Sequence, residues 1–210
     1  MISMDGRRAR KVILPSMPRC MSRFPSRKSG RTIYCESHLE QEFVTHLEFE
    51  DRVLRFREQP VTVQLQAAGK SLRYTPDFYV EQRNGNFLYE VKPAKRVSKY
   101  EAVFAAAANH FGQLGYQYRV VTDVDIKVEP LLSNRKILLR YRCHGIEEHK
   151  FDLVKRTLTS SGELSAEELG HMLDSDLPDI ATIYSLLARG YLAADLAVAP
   201  ITPDMLLTWA

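Results

Sequence analysis

The sequence predicts an α/β protein with a small helical domain appended at its C-terminus. Short β-rich runs cluster between positions 52 and 122, helical stretches bracket and interrupt them, and beyond Asp125 the helical period takes over. The 210 residues suffice for one good core and an annex, at about 100–200 residues per domain. An apolar fraction of 45% with 26% charged residues fits an ordinary globular chain.

The elements follow in order. Residues 1–32 mix Pro, Ser, Gly and Arg without a sustained apolar period and read as a largely irregular arm. From Glu36, ESHLEQEFVTHLEFED places Leu39, Phe43, Val44 and Leu47 on one helical face at about 100° per residue. Glu36 and Glu40 fall within that face, Glu42 and Glu48 outside it. An acid on a core-facing stripe costs free energy unless it is paired or binds a cation. Strands are expected over 52–56, over 61–65 and, after the turn at Gly69-Lys70, over 72–81. Asn84-Gly85 is a strong hairpin signal between the runs 74–80 and 87–91. A helix over 98–114, built on AVFAAAA and closed by Gly115, and a strand over 116–122 complete the core.

Past Asp125, helices are expected over 131–141 and 149–158, over 166–173 with Ser165 as cap, and from Pro178 to 188. The chain then turns β-like in YLAADLAVAP and ITPDMLLTW. Three short helices followed by a hairpin-like tail give the outline of a winged helix. The expected division is an arm over 1–32, a core domain over 33–128 and an annex over 129–210.

The net charge of +3 conceals an asymmetry. Residues 1–32 hold nine Lys/Arg against Asp5 alone, whereas residues 165–210 hold Arg189 against seven acids. A basic arm suits phosphate neutralisation and steering to nucleic acid, while an acidic tail is ill suited to phosphates and points to a protein partner. Arg23, Lys28 and Arg31 in the arm, with Lys95, Arg96 and Lys99 after the second hairpin strand, form the expected DNA surface. Cys20, Cys35 and Cys143 show no CxxC spacing, and His144 and His149 near Cys143 lack a second ligand cluster for zinc. No run of about 18 apolar residues could span a membrane. The start, MISMDGRRARKV, lacks a signal-peptide core, so an intracellular location is expected.

The hairpin carries the chemistry. A turn centred on Asn84-Gly85 pairs position 79 with 90 and 77 with 92, which puts Asp77, Tyr79, Glu90 and Lys92 on one face. Two nearby carboxylates repel unless a hard divalent cation lies between them, and Mg2+ favours one or two carboxylates with waters and phosphate oxygens. A lysine beside such an ion orients or helps deprotonate a water, or stabilises charge building on a phosphate. Glu40 is the natural third acid. A surface hairpin with an Asp77–Lys92 ion pair, worth under about 1 kcal/mol, would also produce D-x12-E-x-K. Pro76, marking a distorted or edge position, and the acids on an apolar helix face argue against it.

Pro76-Asp77 followed by Glu90-Val91-Lys92, with Glu40 on the preceding helix, matches the PD-(D/E)xK nuclease pattern. FPSRKSGRTIYCESHLE at 24–40, REQP at 57–60, YTPDFYV at 74–80 and YEVKP at 89–93 further resemble the TnsA family of transposon-end endonucleases, over roughly residues 20–125. The resemblance implies a restriction-endonuclease-like mixed sheet flanked by helices. It also implies Mg2+-dependent hydrolysis, with Mn2+ as a substitute, of the 5′ (non-transferred) strand at transposon ends. By position, Glu40, Asp77, Glu90 and Lys92 would be catalytic, and Glu40, Asp77, Glu90 and Val91 would hold metal. Gln59 and Glu36 would support the site. The implied partners are double-stranded DNA at transposon ends, a TnsB-like recombinase that cuts and joins the 3′ ends, and a TnsC-like AAA-type ATPase engaged through the C-terminal domain. Such a protein would work in the cytoplasm with the DNA. Two other readings are a stand-alone nuclease of restriction, repair or resolvase type, and an inert DNA-binding or assembly protein.

Overall fold

The computed structural model describes Ile2, Ala9 and residues 21–210. Most of the expected basic arm, including Arg7, Arg8, Arg10, Lys11 and Arg19, lies outside the described residues, as does Cys20. The chain divides into two compact units, residues 1–127 and 128–210.

The first unit begins with a hairpin of β1 (Ser22–Ser26) and β2 (Arg31–Cys35), in register at Phe24 and Ile33. Residues 22–32, expected to be irregular, are therefore ordered. Burial of Phe24, Ser26, Ile33 and Cys35 supplies the alternation, and polar pins supply the rest. The Ser26 hydroxyl and the Arg27 N–H donate to Glu48 at 2.7 Å each, and the Ser29 hydroxyl donates to the Phe56 carbonyl at 2.6 Å.

Helix α1 (His38–Phe49) starts at Ser37, whose hydroxyl accepts from the Glu40 N–H. A four-stranded mixed sheet follows, with β3 (Val53–Glu58), β6 (Phe78–Gln82), β7 (Gly85–Val91) and β8 (Gln117–Val121) in the order β3-β6-β7-β8. The first two pairings are antiparallel and β7–β8 is parallel. That parallel pair needs a crossover, provided by α2 (Ala94–Val97), a 3₁₀ turn at Ser98–Tyr100 and α3 (Glu101–Gln113). A separate hairpin, β4 (Val63–Ala67) with β5 (Lys70–Tyr74), lies against α3, and α4 (Asp123–Ile126) follows β8.

The continuous strand expected over 72–81 is broken in two. Pro76 has no N–H to give a ladder, so β5 stops at Tyr74 and β6 resumes at Phe78, leaving Asp77 in the gap. The β6–β7 register also differs from expectation. Tyr79 pairs with Leu88 and Gln82 with Gly85, so the two-residue turn is Arg83-Asn84 and each pairing is displaced by two. A displacement of two conserves faces, and the apolar pattern is satisfied equally by either register.

The sheet separates two apolar layers. On one face Phe43 of α1 meets Phe78 and Tyr89, with ring centroids 5.7 and 5.1 Å apart. Burying a phenylalanine in this way contributes about 1.5–3 kcal/mol. On the other face Tyr79 and Leu88 pack with Leu65 and Tyr74 of the β4–β5 hairpin and with Ala107 and Phe111 of α3. Asp77, Glu90 and Lys92 share the pleat parity of Tyr79 and Leu88.

The second unit contains α5 (Leu131–Tyr141), α6 (Glu148–Ser161), β9 (Glu163–Ser165), α7 (Ala166–Leu173), α8 (Ile180–Ala188), β10 (Leu192–Ala193) and β11 (Leu206–Trp209). The strands form one antiparallel sheet in the order β10-β11-β9. β9 is a strand the sequence does not announce, being three residues that pair only because β11 returns beside them. Leu138, Val154, Leu158, Leu169, Ile183, Leu186 and Leu207 fill its core. Gly170 of α7 permits the close approach of the α7–α8 connection, since a Cβ there would stand 2.9 Å from the Pro178 Cβ. Among the described residues no helix is long and apolar enough to cross a membrane.

Candidate active site

A cavity of about 680 Å3 opens at the end of the sheet where β6 begins and β7 finishes. Glu36, Glu40, Asp77, Glu90, Val91 and Lys92 all line it, together with Thr62, Arg73, Thr75 and Tyr100, which sequence reasoning did not single out. The break after Pro76 swings Asp77 out of the ladder, and its Oδ2 accepts from the Val91 N–H at 2.8 Å. That bond brings Asp77 beside Glu90, not opposite Lys92, and corrects the expected Asp77–Lys92 pairing. Lys92 instead meets Glu90 Oε1 at 2.8 Å. The other Glu90 oxygen accepts from the Tyr74 hydroxyl at 2.6 Å, and Tyr74 is in turn 2.6 Å from the Tyr118 hydroxyl. Glu90 is only 5% exposed, so each of these contacts replaces water it has lost.

Glu40 enters from the first turn of α1. Its Oε2 accepts from the Glu36 N–H at 2.7 Å and its Oε1 from the Ser37 hydroxyl at 2.9 Å. Gln59 ties Asp77 to Glu36. Its N–H donates to the Asp77 carbonyl at 2.7 Å and its side-chain amide donates to Glu36 at 2.9 Å. It does so from a φ of +43°, a conformation that costs a non-glycine residue about 1–3 kcal/mol and is kept only where surroundings impose it. Gln59 Oε1 is buried with no partner among the described residues.

The electrostatics are those of crowded acids. Burial, then Glu90, then Glu40 raise the Asp77 carboxyl well above the usual carboxylate range, against the Val91 N–H and Lys92. Burial raises Glu40 as well, although the Glu36 N–H and Ser37 hydroxyl oppose it. Burial pulls Lys92 down, but Glu90 more than reverses this, so the ammonium is held above its ordinary value and is charged at neutral pH. Tyr74 and Tyr118 are both raised, chiefly by burial, and stay protonated.

Hard oxygen donors and an excess of negative charge suit Mg2+, which binds proteins through one or two carboxylates and keeps waters or phosphate oxygens for the rest. The donor set fits on that chemistry, with Asp77 and Glu90 as the two carboxylates. Among the described residues, however, no three acids, histidines or cysteines are grouped as a ready-made ion site; Lys92 and Tyr74 engage Glu90, and the start of α1 engages Glu40. The backbone N–H of Val91 faces Asp77.

The expected DNA contacts separate into two groups. Arg23, Lys95, Arg96 and Lys99 are exposed, with Lys99 5.7 Å from the centre of the Tyr100 ring. Arg31 forms a bidentate pair with Glu58, at 2.6 Å for the shorter contact, and Glu58 is 2% exposed. That guanidinium is spent on neutralising a buried acid. Lys28 donates to the Glu50 carbonyl at the end of α1.

A mixed α/β unit in which two acids and a lysine converge on one cavity at a sheet end has the make-up of a phosphodiester-cleaving site. Residues 50–123 match the family model described as TnsA-like endonuclease N terminal. The match runs from the end of α1 through β8, so it takes in Asp77, Glu90 and Lys92 and leaves out Glu40 and the second unit. No curated protein matches the chain.

Proposed function

We propose that the protein is the endonuclease subunit of a heteromeric transposase, hydrolysing the 5′ strand at transposon ends with Mg2+ and so permitting cut-and-paste transposition. The observation that carries this is the convergence of Asp77, Glu90 and Lys92 on one cavity inside the segment that matches the family. Asp77 and Glu90 would hold the cation, with Glu40 as a third acid beside them. Bound Mg2+, or Mn2+ in its place, supplies positive charge to the attacking and leaving oxygens of the phosphodiester. Lys92 would orient the attacking water and stabilise charge on the phosphate. Lys95, Arg96, Lys99 and Arg23 hold the flanking backbone by phosphate contacts.

Two helices between the first strand of the second unit and a terminal strand pair support a winged-helix reading of it. Its acidic balance favours a protein surface over DNA. We assign it to the TnsC-like AAA-type ATPase or the TnsB-like recombinase as docking partner, and the protein to the cytoplasm.

The test is strand-specific cleavage of an end-labelled transposon-end duplex with Mg2+, with and without the recombinase and ATPase. Asp77→Ala should lose 5′-strand cutting by at least about a hundredfold. Wild-type rates in that variant would sink the assignment, and robust cutting by the chain alone would favour a stand-alone nuclease.

A further inference from the structure

Glu90 is held from behind by a chain of two tyrosine hydroxyls whose direction follows from counting protons. Tyr74 has one hydroxyl proton, and it is given to Glu90 Oε2 at 2.6 Å. The 2.6 Å contact between the two hydroxyls must then run from Tyr118 as donor to Tyr74 as acceptor. The order is Tyr118 to Tyr74 to Glu90.

The three residues come from different elements. Tyr74 ends β5 of the separate hairpin, Glu90 is on β7, and Tyr118 is on the parallel neighbour β8, opposite Leu88. Ring packing fixes the hydroxyls before any ligand arrives. Tyr74 lies 6.5 Å from Phe111 and 6.3 Å from Tyr118, and Phe111 stacks on Tyr118 at 6.2 Å. With Oε2 anchored in this way, Oε1 is left facing Lys92.

We infer that Tyr74, backed by Tyr118, is a positioning residue that locks the Glu90 carboxylate so that Oε1 is the oxygen offered to a divalent cation. The inference rests on the nuclease reading given above. At Oε1 a cation would compete with the Lys92 ammonium, and the Tyr74 bond to Oε2 would keep the carboxylate from rotating. Partners of this kind are commonly worth a factor of about 10–100 in metal affinity.

The test is Mn2+ binding to the full-length chain without DNA, followed by the loss of the free-ion electron paramagnetic resonance signal. Tyr74→Phe keeps the ring and removes only the hydroxyl. It should weaken Mn2+ binding about tenfold or more, and Tyr118→Phe should produce a smaller loss in the same direction. The melting temperature of each metal-free variant is measured alongside, because a purely structural role would move that temperature and leave the affinity alone. Affinity of Tyr74→Phe within about twofold of wild type overturns the inference and leaves the nuclease reading standing. If Tyr74→Phe does not fold, Tyr118→Phe decides: unchanged affinity overturns the inference, and a loss upholds it. Absence of Mn2+ binding to the wild-type chain overturns the nuclease reading and the inference together.

Discussion

Ser37-x-x-Glu40 at the start of α1 and Ser165-x-x-Glu168 at the start of α7 are the same helix-start signal. In both, the serine hydroxyl accepts from the amide three residues on, at 3.1 Å. Glu168 returns to the Ser165 N–H and hydroxyl at 2.8 and 2.7 Å, and those bonds hold its carboxyl below the usual range. Glu40 accepts equally good bonds from the Glu36 N–H and the Ser37 hydroxyl, yet its carboxyl is raised. Local hydrogen bonding does not distinguish the two. Dehydration and the neighbouring Glu36 do, and they raise the carboxyl of one cap while that of the exposed cap stays low.

The largest expected effect tests that division on activity. Glu40→Gln should lower Mg2+-dependent strand cleavage by at least about tenfold, whereas Glu168→Gln should leave it within about twofold. Equal losses in the end-labelled assay would erase the distinction. Next in size is a change confined to the second unit. Gly170→Ala drives a methyl against Pro178 and Ile180 and should cost about 1–3 kcal/mol. Trp209, the only tryptophan in the 210 residues, lies in β11 and reports this by fluorescence in urea. An unchanged midpoint would mean that the α7–α8 connection yields more readily than its packing suggests.

The two caps themselves should be close to equal in stability terms. Ser37→Ala and Ser165→Ala should each cost about 1 kcal/mol, the usual worth of an N-cap serine. Amide exchange in α1 and Trp209 fluorescence for α7 give the two readings. A cost at Ser37 well above that at Ser165 would place part of Glu40's role in holding the fold.

The smallest effect is a difference in sign with pH. Asp77 and Glu40 have folded-state values above their ordinary 3.8 and 4.5. Their contribution is fully present below those values and is lost as pH rises toward the folded ones. Glu168 and Asp179 are lowered, Asp179 by Lys150 and Thr182 working against burial. Their contribution is present above the ordinary values and is lost only as pH falls below them. Taking the metal-free protein from pH 7 to pH 5 should therefore stabilise the β6–β7 region and leave the second unit unaffected. Amide exchange in β6 and β7, corrected for its intrinsic pH dependence, would count against this if protection fell.

What the sequence made legible was local. The helical face bearing Glu40, the cap at Ser165 and the faces of the hairpin all follow from period and turn chemistry acting over a few residues. Partners across the sheet do not. A two-residue displacement conserves every face, so hydrophobic pattern alone could not say that Asp77 belongs beside Glu90. Tyr74 and Tyr118, 44 positions apart, meet only because a parallel crossover returns β8 beside β7. The β1–β2 hairpin escaped notice for a similar reason, since Glu48, Phe56 and Glu58 hold it from outside its own sequence.

The same pleat that gathers the acids also limits how the chain can change length. Deleting one residue of β7 between Gly85 and Glu90, or one of β6 next to Asp77, would send the affected carboxylate to the face packed by α1. Deleting two would return it. The tip at Arg83-Asn84 carries no such parity, so length variation in this hairpin is tolerated at its end and elsewhere only in steps of two.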